Sequence, residues 1–243
     1  MEIKQHFTIC PIGDTAIQVS FGNMIDRKIN GQVSALSQYF KQHPFTGLVD
    51  IIPAYSNISF SFDVFAIRRS VKINTTVHDW VKDKIEAGLM AINIKALGNA
   101  EMTKPIKVPV CYDDSLGNDL AVISKKLKVP IEELINLHTS QSYFVYMLGF
   151  LPGFAYMGEL DKALAYPRRA TPQKVKAGSI GIAGRQTGIY PLNSFGGWHI
   201  LGHTSLKPFD IQREEPCYFK TGQEVVFFSI GKEEYQEQVR VNR

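Results

Sequence analysis

Cysteine is scarce in this sequence, and long apolar runs are absent. Its three cysteines, Cys10, Cys111 and Cys217, lie far apart and form no CxxC pair. That spacing favours reduced thiols over a disulfide framework or a zinc site. No stretch approaches the roughly 20 apolar residues of a membrane helix, and the first ten residues, MEIKQHFTIC, lack the apolar core of a signal peptide. We therefore expect a soluble, cytoplasmic protein without a membrane partner.

Charge of one sign is also lacking. The 27 lysines and arginines are scattered among 23 acidic residues, which leaves a net charge of +4 over 243 residues. A nucleic-acid-binding protein normally concentrates basic residues in a patch or stripe, so we expect no nucleic-acid partner. The sequence contains no GxGxxG or GxxxxGK[ST] loop, no metal-ligand spacing and no recognisable Ser-His-Asp order. We expect no metal or prosthetic group.

The first part of the chain has the pattern ββαββα. Short strands alternate with two helical stripes, the second of which is opened by a capping box at Thr76 and Asp79. The elements are predicted at residues 6–10, 15–21, 25–40, 48–52, 58–62 and 76–92. This order predicts a small α+β domain over residues 1–96, and the turn-rich segment 97–104 is the candidate boundary.

The second part, residues 105–243, is mainly of β type. Two short helices are predicted after Asn118 and at Pro130, and strands are predicted from Tyr143 onward. Ten of the nineteen glycines lie between residues 149 and 202. VVFFSI (225–230) and the alternating QEQVRV (236–241) are predicted as the last strands. Short strands with this density of Gly/Pro turns are typical of a closed or nearly closed barrel.

Two long motifs carry a family resemblance. GFLPGFAYMG (149–158) and YPRRATPQKVKAGSIGIAGRQTGIYPLNSFGGWHILGHT (166–204) resemble the KipI family, whose members are also known as the first subunit of allophanate hydrolase or the B subunit of 5-oxoprolinase. PIGDTAIQVSFG and VDIIPAYSNISF are similar to the family's N-terminal strands, so the resemblance covers nearly the whole chain. It implies an α+β N-terminal domain followed by a mainly-β, cyclophilin-like barrel domain.

The resemblance implies two different activities. In one, the chain works with two partners, a KipA-like protein and a LamB/YcsF-like protein, and the assembly hydrolyses 5-oxoproline to glutamate with ATP as co-substrate. In the other, found in sporulating bacilli, the chain binds the dimerisation domain of a sensor histidine kinase and thereby inhibits the kinase. Similar domains also form part of urea carboxylase. One chain could perform both roles, and the sequence does not separate them.

Arginines close to the glycine-rich turns are the candidate groups for phosphate, carboxylate or oxyanion binding. Opening a lactam with ATP needs cations and amide donors where negative charge develops. Arg168 is the candidate catalytic cation. Substrate or partner contacts are predicted for Arg169, which follows it, and for Gly184, Arg185, Gln186 and Thr187 at the glycine-rich turns. The alternative is that these arginines form ordinary ion pairs at the rim of the barrel.

His138 is the candidate general acid or base. It shares a helical face with Ile131, Leu134 and Ile135, so its imidazole points towards the body of the protein. A satisfied core histidine is the alternative. Tyr190 and Trp198 are predicted to wall a small-molecule pocket, with barrel core as their alternative.

The LGFLPGFAYM segment could present apolar anchors to a partner protein. Leu151, Pro152 and Phe154 are the candidate binding residues, with Tyr156 and Met157 beside them, although the barrel core could also take these side chains. No nucleophile with its base is recognisable anywhere in the chain. The sequence therefore predicts a half-site that is inactive alone and is completed by a partner.

Overall fold

A computed structural model describes residues 7–92 and 104–241. The chain forms two compact units, which meet in sequence at Met102 and Thr103. The predicted boundary at 97–104 lies almost wholly outside the described residues. The division into a domain over residues 1–96 and a domain over residues 105–243 stays a prediction.

The N-terminal unit is a sheet of four antiparallel strands with helices. Its strand order is β1-β2-β4-β3. The elements are β1 (Thr8–Pro11), β2 (Ala16–Ser20), α1 (Arg27–Gln42), β3 (Leu48–Pro53), β4 (Asn57–Phe62), α2 (Val64–Ser70) and α3 (Val77–Ala91). The order is thus ββαββαα. The short helix α2 is absent from the sequence prediction because its seven residues show little more than one turn of periodicity.

Of the two longer helices of this unit, α3 begins at the predicted cap Thr76 and α1 begins two residues after the predicted start. The Asp26 side chain caps α1 by accepting from the N–H groups of Lys28 and Ile29 at 2.9 and 3.0 Å. Thr76 caps α3 by accepting from the N–H of Asp79 at 3.0 Å. Their apolar stripes pack against the inward-facing residues of β2 and β4 and form the core of the unit.

The C-terminal unit is built around a seven-stranded sheet. The elements are β5 (Ile106–Val110), α4 (Leu120–Leu127), α5 (Ile131–Thr139), β6 (Ser142–Leu148), β7 (Ala155–Gly158), a 3₁₀ turn (Lys162–Leu164), β8 (Gln173–Val175), β9 (Ser179–Ala183), β10 (Gln186–Ile189), β11 (Ser194–Gly196), β12 (His199–His203), β13 (Glu224–Ser229) and α6 (Lys232–Val241). The order of the large sheet is β12-β9-β10-β7-β6-β13-β5, and β8 and β11 form a separate pair.

The large sheet is nearly closed into a barrel. Cys111, directly after edge strand β5, pairs with His203 of the other edge strand β12 through two backbone hydrogen bonds of 2.8 and 3.0 Å. Gly202 permits this approach, since a Cβ atom at that position would lie 2.7 Å from the carbonyl oxygen of Cys111. The mixed α/β architecture with a barrel-like sheet therefore agrees with the sequence prediction.

The prediction of a final strand at 236–241 is wrong, because Lys232–Val241 forms helix α6. The alternation of QEQVRV is short, and its glutamines and glutamate have low β-propensity. A hydrogen bond of 3.3 Å from Gln238 to Glu234, four residues earlier, is typical of a helix surface. No helix within the described ranges is both long and apolar enough to cross a membrane.

Candidate functional site

A cavity of about 210 Å³ opens on the C-terminal unit. Side chains and backbone from separate parts of the barrel motif converge on it. Its lining consists of Phe150, Phe154, Tyr156, Arg168, Arg169, Ala170, Pro172, Tyr190, Phe195, Gly196, Gly197 and Trp198. The arrangement is a box of aromatic rings with two cations beside it, which suits a small ligand that has both an apolar and an anionic part.

The walls of the cavity are held by edge-to-face ring contacts. Phe154 lies at the centre, with ring centroids 5.1 Å from Tyr190 and 5.3 Å from Trp198. Tyr156, on β7, contacts Trp198 from the other side at 5.7 Å. Gly196 is required for this packing, because a Cβ atom there would overlap the Tyr190 phenol. The glycine-rich run therefore makes room for aromatic side chains.

The two arginines at the cavity differ in what they contact. Arg169 forms an ion pair with Asp119, and the side chains are only 22% and 10% exposed. Arg168 is exposed and makes no ion pair or side-chain hydrogen bond within residues 7–92 and 104–241. Arg169 is therefore committed to the fold, whereas the guanidinium of Arg168 is available to a ligand.

Arg168 is nevertheless held in place by its chain neighbours. The carbonyl of Pro167 accepts from Nε2 of the buried His199 at 3.1 Å, and the N–H of Arg169 donates to the carbonyl of Gly197 at 2.7 Å. Asp119 completes the anchor, because its second carboxylate oxygen accepts from the N–H of Ile200 at 2.7 Å. The backbone on both sides of Arg168 is thus fixed to the segment that carries Trp198.

The phenols of the cavity remain protonated at neutral pH. Burial raises the pKa of Tyr190 and of Tyr156. A phenol that keeps its proton can donate a hydrogen bond to a ligand. The site therefore combines one free cation with a neutral hydrogen-bond donor among aromatic faces.

Several residues predicted for the site do not line this cavity. Gly184 and Arg185 form the turn between β9 and β10, and Gly184 pairs with Tyr166. Arg185 forms a half-exposed ion pair with Glu159 at 2.6 Å. Gln186 begins β10, and Thr187 is fully buried in the barrel. A contact of these four residues with substrate or partner stays a prediction.

His138 lies in the interior of the barrel. Its ring stacks on Phe227 with centroids 4.8 Å apart, and both ring nitrogens are partnered. The Tyr112 hydroxyl lies 2.7 Å from Nδ1, and the Thr187 hydroxyl lies 3.0 Å from Nε2. Because Thr187 donates its proton to the carbonyl of Gly181, the network assigns the hydrogen to Nε2.

This environment keeps His138 neutral. Burial lowers its pKa from the ordinary 6.5 to about 3. The residue is fully buried and is not part of the cavity lining, so the structure does not bring it together with Arg168. A satisfied core histidine, the alternative interpretation of its position, describes these contacts; its catalytic role stays a prediction.

The LGFLPGFAYM segment divides between core and cavity. Phe154 and Met157 are buried, so they do not serve as exposed anchors for a partner. Leu151 packs against a small buried cluster of Phe154, Val175, Tyr190 and Ile200, and Pro152 is exposed. For Phe154 and Met157 the structure agrees with the alternative interpretation, the barrel core, and binding of a partner by Leu151 and Pro152 stays a prediction.

Sequence reasoning missed four residues that build the site. Asp119 and His199 hold the arginine segment. Asp119 lies outside the two quoted motifs, and His199 lies inside the second one, where no role is predicted for it. Phe150 and Phe195 stand at the cavity and are 64% and 62% exposed. A phenylalanine next to glycine or serine in a turn-rich stretch is the sequence signal that could have found Phe150 and Phe195. Among the described residues no cluster of three or more His, Cys, Asp or Glu side chains could hold a metal ion.

The Asp119–Arg169 ion pair should matter far more for stability than the surface pair Glu159–Arg185. Replacing Asp119 by Ala leaves a largely buried guanidinium without its counter-charge and an N–H of Ile200 without its acceptor. We expect a loss of about 3 kcal/mol in the free energy of unfolding. The matched change Glu159→Ala should cost about 1 kcal/mol or less. Urea unfolding of both variants measures the difference, and equal losses would contradict this role of Asp119.

The buried state of His138 predicts a pH effect. Between pH 6.5 and 3 the unfolded chain binds a proton at this residue that the folded chain does not, so stability is lost as pH falls. From pH 7 to 5 this contribution is about 2 kcal/mol. His138→Gln should remove it, while the exposed control His43→Gln should keep the wild-type slope. Parallel slopes for wild type and His138→Gln in urea unfolding at the two pH values would show that His138 is not buried in its neutral form.

Comparison with known proteins places the chain in a family. The family model described as "Carboxyltransferase domain, subdomain C and D" matches residues 7–219. The 5-oxoprolinase B subunit of Bacillus subtilis (strain 168) is 35% identical over 231 residues, which cover 94% of this chain and 95% of that protein. The 5-oxoprolinase B subunit of Escherichia coli O157:H7 is 47% identical over 123 residues, or 50% of this chain and 56% of that protein.

A solved structure shares the fold. The crystal structure of TTHA0988 superimposes with a TM-score of 0.75 at 31% identity, over 88% of this chain. The match covers 40% of the TTHA0988 chain, which is therefore much longer than its matching part. These matches confirm the resemblance indicated by the barrel motifs. The chain belongs to the family of carboxyltransferase domains, subdomain C and D, among whose members are the 5-oxoprolinase B subunits.

Proposed function

We propose that this chain is the B subunit of a heteromeric, ATP-dependent 5-oxoprolinase. The observation that carries the proposal is the match to the Bacillus subtilis 5-oxoprolinase B subunit over 94% of this chain and 95% of that protein. The reaction class is hydrolysis of a cyclic amide. The two partners are a KipA-like protein and a LamB/YcsF-like protein, and the barrel of this chain is of the cyclophilin-like type.

The chemistry explains why the site needs a cation. Transfer of the ATP γ-phosphoryl group to the lactam oxygen gives an O-phosphorylated lactam and ADP. Water then adds to the activated carbon, the C–N bond breaks to free the amine, and a second water hydrolyses the resulting acyl phosphate to glutamate and phosphate. Each step moves negative charge near the lactam carbon, and arginine and neutral hydrogen-bond donors stabilise such charge best in a site that excludes water.

The residues that line the cavity support a site that is shared with the partner proteins. Its described lining offers Arg168 as the free cation and the Tyr190 phenol as a donor. It has no cysteine, serine, histidine or carboxylate that could act as nucleophile or base. The groups that activate water and bind the nucleotide therefore come from the two partner proteins, and the isolated chain is inactive.

Reconstitution tests the proposal. This chain, the KipA-like partner and the LamB/YcsF-like partner are purified and assayed, alone and mixed, for glutamate release from 5-oxoproline with ATP. We expect release only in the complete mixture. Replacing Arg168 by Gln should lower kcat/KM of the mixture by about tenfold or more, because the substrate loses a charge-assisted contact in the cavity. Arg240→Gln, an exposed arginine on α6, is the matched control and should leave the rate unchanged.

Two outcomes would contradict the proposal. Glutamate release by this chain alone would show that it carries a complete active site. No release by the complete mixture of three folded proteins would show that the chain belongs to a different assembly. A normal rate for Arg168→Gln would remove Arg168 from the site but leave the assignment to a 5-oxoprolinase in place.

A further inference from the structure

We infer that the aromatic cavity is the subsite that binds the lactam substrate itself, with the carboxylate on Arg168, and that it excludes the nucleotide. This inference rests on the proposed function for the identity of the substrate. It goes further by assigning one ligand, in one orientation, to named residues of this chain.

The size of the cavity selects a small ligand. At about 210 Å³ it lies below the roughly 300–1,000 Å³ typical of pockets for drug-sized molecules. A five-membered lactam with one carboxylate fits such a volume, whereas a nucleoside triphosphate does not. Three edge-to-face contacts around Phe154 hold the walls in this shape.

The charge of the site selects a single anion. Two arginines lie at the cavity, but Asp119 neutralises Arg169. The net cationic capacity is therefore one guanidinium, that of Arg168, which matches one carboxylate. A triphosphate with Mg²⁺ would need several donors and a metal ligand. The cavity lining supplies no carboxylate for a metal and no phosphate-binding loop.

The apolar faces match the rest of the ligand. The ring carbons of 5-oxoproline would lie against Phe154, Tyr156 and Trp198, and burial there removes apolar surface from water. The Tyr190 phenol, kept protonated by burial, is a donor for the lactam carbonyl. In this orientation the carboxylate is nearest the exposed Arg168. The nucleotide approaches from outside the box, on a partner protein.

Indole NMR signals test this directly on the full chain without its partners. The chain contains two tryptophans, and only Trp198 lies at the cavity, while Trp80 packs against the core of the other unit. Their indole N–H signals are assigned with the variant Trp80→Phe. Titration with 5-oxoproline should shift the Trp198 signal saturably and leave Trp80 unchanged.

Three comparisons test separately the ligand carboxylate, Arg168 and the exclusion of the nucleotide. 2-Pyrrolidinone, the same ring without the carboxylate, should bind at least about tenfold more weakly, as expected for loss of one charge-assisted hydrogen bond. Arg168→Gln should weaken 5-oxoproline binding by the same factor and leave pyrrolidinone binding unchanged. Arg240→Gln should bind both ligands as the wild type does. ATP should not shift the Trp198 signal or compete with 5-oxoproline.

The outcomes distinguish this inference from the proposed function. No Trp198 shift at millimolar 5-oxoproline, equal binding of pyrrolidinone, or competition by ATP would overturn the subsite assignment, even if the reconstituted enzyme is active. Saturable, Arg168-dependent binding in a chain whose complete assembly releases no glutamate would uphold the subsite and refute the oxoprolinase function. A urea unfolding midpoint equal to that of the wild type shows that Arg168→Gln keeps its fold.

Discussion

The ion pair between Asp119 and Arg169 is the constraint on which the site depends. Asp119 also accepts from the backbone N–H of Ile200, so one carboxylate ties together the start of α4, the start of β12 and the arginine segment. Because both side chains are largely buried, neither charge could be lost alone without leaving the other uncompensated. The pair therefore holds the chain segments around the cavity in position and adds no net charge to it.

That constraint explains how two adjacent arginines acquire different roles. Arg169 is neutralised and immobile, and its backbone is fixed to Gly197. Arg168, one residue earlier, keeps an unpartnered guanidinium within the described chain, on a backbone held by Pro167 and His199. Because the backbone is fixed before the ligand arrives, only the exposed side chain of Arg168 has to be ordered on binding. Sequence alone does not distinguish the two arginines, since the partner of one lies fifty residues away.

Local patterns predicted most of the elements, because caps and apolar periodicity act over a few residues. Thr76 and the stripe of α1 are examples. The errors arose where the local signal is short: α2 is only seven residues long, and QEQVRV alternates like a strand but forms a helix. Tyr190, Trp198 and both arginines, which were chosen on the family motifs, line the cavity, whereas Phe154 lines it although it was predicted as an exposed anchor. His138 was predicted from its helical face and its ability to titrate near neutral pH, and Thr187 from the barrel motif; the fold joins them in one hydrogen-bonded network inside the barrel, and their roles at the site stay predictions.

A crystal structure of the full chain grown with 5-oxoproline would show whether the aromatic box binds the lactam. We expect electron density for the ligand inside the aromatic box, with its carboxylate within hydrogen-bonding distance of the Arg168 guanidinium and its ring against Trp198. We also expect the Asp119–Arg169 pair to be unchanged by the ligand. An empty box with the ligand bound elsewhere on the chain, or a ligand in the box whose carboxylate points away from Arg168, would contradict this expectation.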